Sequence, residues 1–172
     1  MSAKRLSSTA ALAAVYALIT LLLAPLSFGV VQCRIAELLC LLPYYFPGSV
    51  WGLFLGCALA NLLSGNLLDF LFGSLATLLS ALAVRWTGRR GRAPALACLY
   101  PVLYNGLVVG AVLTAGYENL SIPANPRLYA LNAGSVALGE ALVVYALGLP
   151  LLKRLPKQKL FGFLAERFDR NF

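Results

Sequence analysis

Four long apolar runs, at about 8–28, 67–84, 93–115 and 128–152, decide most of what this chain can become. Each holds the roughly 17–25 residues that a helix needs to cross a hydrocarbon core of about 30 Å. Composition points the same way. Of 172 residues, 60% are hydrophobic and 12% charged, whereas a soluble domain is nearer half apolar and about a quarter charged. The expectation is an all-α polytopic protein, one integral membrane domain over 1–172. No small-residue cleavage pattern follows the first run before the chain re-enters the membrane, so no cleaved signal is expected.

Between the first and second long runs lie two shorter ones, at about 35–46 and 48–63. Pro47-Gly48 separates them, and Pro43 interrupts the first. Lysine and arginine gather at cytoplasmic ends of spans. Twelve of the 14 sit together if both termini are cytoplasmic: Lys4 and Arg5, the loop "RWTGRRGR", and the tail from Lys153 to Arg170. Only Arg34 and Arg127 fall on the other side. The short pair must then make an even number of crossings, as two short helices or as a re-entrant hairpin. Six spans, the second and third short or irregular, is the favoured count. Within 156–172, Leu160, Phe161, Leu164 and Phe168 share one helical face, which predicts an interfacial helix.

The net charge of +8 is thereby a matter of topology, and no nucleic-acid partner is expected. The four cysteines show no CxxC spacing and read as small packing residues. No histidine is present, which removes the commonest general base, metal ligand and nucleophile partner. A membrane enzyme is therefore disfavoured; neither a metal site nor a catalytic residue is expected.

An ionisable residue inside a membrane is a functional-site hypothesis, because it costs about 2.5–3.5 kcal/mol at mid-helix even on lenient scales. Glu140 stands roughly ten residues from either end of the last run, close to the bilayer centre at about 1.5 Å per residue. Asn105 has a similar depth in the run before it. The two can be an interhelical hydrogen bond or part of a polar binding site. A second set lies toward the outer surface. Arg34 and Glu37 are three residues apart and share a helical face. Asn61 ends the third run, and Asp69 begins the fourth, where a helix N-terminus also favours an acid. Gln32 and Arg34 precede the proline-broken segment, and broken elements point to transporter sites. Together they predict a pocket open to the outside. In the first run, Ala10, Ala14 and Ala17, with Ala13 beside them, form a small-residue stripe that suits close helix approach, within the chain or from another subunit.

The stretches "QCRIAELL", "GCALANLL", "LLDFLFGSLATL", "YPVLYNGLVVGA" and "GEALVVYALGLPLL" resemble the QueT-type proteins. These are the substrate-binding S components of energy-coupling factor (ECF) vitamin transporters assigned to queuosine precursors. The resemblance runs from the first span to Leu152 and implies a six-helix protein of the bacterial cell membrane. Such a protein binds its substrate outside and works with a membrane coupling protein and two ATPases. Ala10 and Ala14, with Ala13 and Ala17 as the other register, resemble the docking face for that coupling protein. No cofactor is expected in this chain; it carries no P-loop motif, so ATP belongs to the partners. A 7-deazaguanine presents two adjacent N–H donors to one carboxylate, and Glu140 is the first choice for that role. Asn105 suits the ring carbonyl, and Glu37 or Asp69 suits the ammonium of an aminomethyl derivative, with Arg34 orienting Glu37. An S component for another vitamin-like molecule and a small ion-coupled carrier using Glu140 are the alternatives.

Overall fold

The computed structural model describes residues 3–27, 33–65 and 67–168, and every element in them is helical. Helix α1 is Ala3–Leu22, α2 Ile35–Tyr44, α3 Pro47–Leu63, α4 Asp69–Arg89, α5 Pro94–Gly116, α6 Pro126–Lys157 and α7 Lys159–Phe168. Among these, α1, α4, α5 and α6 are long and apolar enough to cross a membrane, with 20, 21, 23 and 32 residues. The first span was expected to run to residue 28, but α1 stops at Leu22 and a separate turn covers Ala24–Ser27. Pro25 has no N–H with which to continue the ladder.

Helix α2 departs most from regular geometry. It is a ten-residue 3₁₀ helix with Pro43 inside it. At about 2.0 Å per residue it spans only ~20 Å, and runs this long are uncommon. Three residues per turn stack positions i and i+3 directly above one another. Glu37, Cys40 and Pro43 therefore form a straight column, with Arg34 as the N-cap just before it, and all four are buried. The winding turns Glu37 inward from so short an element, directly behind the N-cap Arg34.

The helices pack in sequence order, α1 on α3, α3 on α4, α4 on α5 and α5 on α6, with α2 wedged against α4 and α6. Small residues set two of these seams. A Cβ on Gly56 would lie 2.7 Å from Cβ of Tyr16 on α1, and one on Gly110 would lie 2.6 Å from Cα of Ala133 on α6. The surface is leucine-rich; Leu22 is 71% exposed while Glu37 and Asn61 are fully buried. This inversion is what lipid as solvent demands, since apolar side chains lose nothing there and polar groups do.

One end of the bundle is tied together by the α2–α3 corner. The Tyr44 hydroxyl donates to the Arg92 carbonyl at 2.6 Å, and Gly88 packs against the Tyr44 backbone. The α7 helix meets the same corner, with the Phe161 ring 5.5 Å from Tyr45 and 5.1 Å from Phe46. Phe168 is buried there, whereas Leu160 of the expected apolar face is exposed. The aromatic side chains of the corner thus draw α7 onto the protein's own body.

Candidate functional site

Two short polar chains meet behind α2. In the first, the Tyr16 hydroxyl of α1 donates to Glu37 Oε1 at 2.5 Å, and the Thr77 hydroxyl of α4 lies 3.2 Å from the same oxygen. Thr77 also lies 3.3 Å from the sulfur of Cys57 on α3, which Arg34 Nη1 approaches at 3.7 Å and Asn61 Nδ2 at 3.4 Å. Asn61 donates further to the Asp69 carbonyl at 2.9 Å. In the second chain, Asn105 Nδ2 of α5 donates to Glu140 Oε1 of α6 at 2.9 Å. Arg34 joins the two, since its charge acts on Glu37, Glu140 and Asp69 alike.

Six of the seven residues singled out from sequence thus fall in one buried neighbourhood: Arg34, Glu37, Asn61, Asp69, Asn105 and Glu140. Gln32 lies outside the described residues. Two of the side chains gain defined partners. The Asn105 amide nitrogen is engaged by Glu140 and so holds that carboxylate in place, leaving its oxygen as the open group. Cys57 is more than filler, because three polar side chains converge on its sulfur. Tyr16 and Thr77 were missed. Tyr16 sits within the alanine stripe, and Thr77 looks like an ordinary helix hydroxyl until Asp69 is placed two turns before it.

Irregular helix turns lie beside the acids. A π turn over Asp69–Gly73 opens α4 with Asp69 itself, and another over Leu142–Gly148 begins two residues after Glu140. Such turns are rare and gather at functional sites; these two lie next to buried carboxylates, while a third, over Val112–Tyr117, does not.

Several buried acceptor oxygens stand open in this neighbourhood. Glu37 Oε2, Asn61 Oδ1, Asp69 Oδ1, Asn105 Oδ1 and Glu140 Oε2 are buried and have no hydrogen-bond partner among the described residues. A buried acceptor left so costs about 1–3 kcal/mol, and more when charged. All five atoms accept, and the three carboxylates outnumber the single described guanidinium. A molecule entering here is favoured if it brings several N–H groups or a positive charge.

A model of the QueT transporter family matches residues 6–157, from α1 to the end of α6. The chain belongs to the QueT transporter family. No curated protein and no solved structure matches it. As a QueT transporter with several membrane-length helices it is a multi-pass membrane protein. The α1 stripe of this QueT protein is divided between two faces. Ala13 and Ala17 are buried in the seam with α3, while Ala10 and Ala14 remain exposed on the other side of the helix.

Proposed function

We propose that this QueT protein is the substrate-binding S component of an ECF importer of the bacterial cell membrane, and that it takes up a queuosine precursor of the 7-deazaguanine class. The observation carrying this reading is the set of five unpartnered acceptor oxygens in one buried neighbourhood. A deazaguanine edge offers a ring N–H and an amino group side by side. Glu140, steadied by Asn105, accepts them through its open Oε2. An aminomethyl substituent at the 7-position carries an ammonium, which Glu37 or Asp69 accepts. Arg34 offsets the remaining negative charge.

We read α2 and α3 as a short crossing pair, giving six crossings with both termini cytoplasmic. Their corner shares an end with the basic α4–α5 loop and α7, which supports that count. Calorimetry on the purified protein tests the ligand: a 7-aminomethyl-7-deazaguanine base is expected to bind at least tenfold more tightly than guanine or an unrelated vitamin. Tighter binding of a vitamin moves the assignment to another S component. Uptake into vesicles driven by a pH gradient, with no ATPase present, makes the protein an ion-coupled carrier instead.

Ala10 and Ala14 suit the coupling-protein interface, being small and exposed one helical turn apart. Ala14→Trp is expected to reduce co-purification of a membrane coupling subunit more than tenfold and to leave the ligand Kd within about twofold, because the buried cluster lies on the opposite face of α1. Undiminished co-purification removes this stripe from the interface.

A further inference from the structure

At the C-terminal end of α4, Leu82, Arg85, Trp86 and Arg89 line an open groove of about 330 Å³. Their spacing of i, i+3, i+4 and i+7 puts them on one helical face. Arg85 and Arg89 are like charges one turn apart, which destabilises a helix by itself. None of Arg85, Arg89, Arg90 and Arg92 has a carboxylate partner among the described residues. The helix C-terminus favours a cation in its last turn, which accounts for Arg89. It leaves the half-buried Arg85, a turn earlier, without compensation.

The groove continues along the helix as an exposed leucine track of Leu71, Leu75, Leu79 and Leu82. A stripe of hydrocarbon ending in two guanidinium groups matches an amphiphile with an anionic head. Arginine is well suited to a phosphate because its planar fork donates in pairs. Trp86 stands where an interfacial indole is expected, with Arg90 and Arg92 held over its ring at 4.5 and 4.4 Å. The backbone here is braced by the Gly88–Tyr44 approach and by the Tyr44–Arg92 hydrogen bond, so the groove is in place before anything binds.

We propose that the Arg85–Arg89 groove binds the phosphate of an anionic phospholipid, with an acyl chain along the leucine track. The site is separate from the buried polar cluster and does not depend on which substrate is carried. The test uses the purified full chain in neutral detergent, with phosphatidylglycerol, phosphatidylcholine and inorganic phosphate added in separate arms. Thermal unfolding and native mass spectrometry are the readouts. Phosphatidylglycerol is expected to raise Tm and to remain bound, while the other two do neither. In Arg85→Gln/Arg89→Gln, retention of phosphatidylglycerol should fall roughly thirtyfold, given the usual attraction per basic residue near an anionic surface. Lys157→Gln/Lys159→Gln, which removes the same charge elsewhere, should behave as the parent. The proposal is overturned if both double variants lose the lipid equally, if phosphatidylcholine is retained as well as phosphatidylglycerol, or if inorganic phosphate alone reproduces the shift in Tm.

Discussion

Glu140→Gln is expected to weaken binding of a 7-deazaguanine base by at least tenfold. Glutamine has nearly the same shape, so α5 and α6 keep their packing, and only the chemistry at the carboxyl end changes. Asn105 donates to Oε1, and a glutamine satisfies that donor only by turning its carbonyl oxygen toward it. The new NH₂ group then points where Oε2 was, at the N–H groups of the ligand. Two acceptor sites are replaced by donors facing donors. A hydrogen bond to a charged group is worth about 1.5–3 kcal/mol, and about 1.4 kcal/mol is a factor of ten in Kd. Calorimetry on both proteins measures the difference. Glu118→Gln serves as the control, because Glu118 is exposed and its carboxylate accepts from Asn132 Nδ2 at 3.3 Å, away from the buried cluster. If Glu140→Gln binds as tightly as the parent, the Asn105–Glu140 bond is a clamp between two helices and the ligand lies elsewhere.

The parts of this molecule that could be read in advance are those governed by rules of composition. Apolar length located the four long helices, and the rarity of buried charge selected Arg34, Glu37, Asp69 and Glu140 before any packing was known. What escaped depends on helix winding and on neighbours. Pro43 announced a broken segment, yet nothing in a linear sequence says that the break is a ten-residue 3₁₀ turn that stacks Glu37, Cys40 and Pro43 in one column. The alanine stripe gave two registers on one helix. Only the placement of Gly56 against Tyr16 and the Ala13 backbone shows which register faces inward. Tyr16, Cys57 and Thr77 belong to the most ordinary residue types of an apolar helix, and their polar role exists only because three helices bring them to the same carboxylate and sulfur. The tail was legible as amphipathic, but the partner of its apolar face was not, since an aromatic corner and a lipid surface make the same demand on a sequence.

Arg34→Met should be the most destabilising single change in the cluster. Methionine fills much of the same volume, so the effect isolates charge. Arg34 is 2% exposed and is the one described cation whose charge reaches Glu37, Glu140 and Asp69. Without it three carboxylates share a buried region with no counter-charge among the described residues. Breaking a buried charge set by deleting one member typically costs about 3–5 kcal/mol, because the survivors keep their desolvation penalty and lose their attraction. Thermal unfolding in detergent should therefore show a large fall in Tm. Adding Glu37→Gln to Arg34→Met should restore part of the loss, with a coupling of about 1 kcal/mol or more, since directly interacting groups are non-additive. Strictly additive losses would mean that Arg34 stabilises the fold by packing alone. The same variant probes why an expensive arginine is kept beneath an acidic site. The bare cluster sets three carboxyl groups against one guanidinium, and that fixed cation lets the acids stay close together while leaving unpartnered acceptors, a deficit for an incoming ligand to fill. A donor-rich ligand should then raise the Tm of Arg34→Met by more than it raises that of the parent protein, because the variant has the larger deficit to relieve.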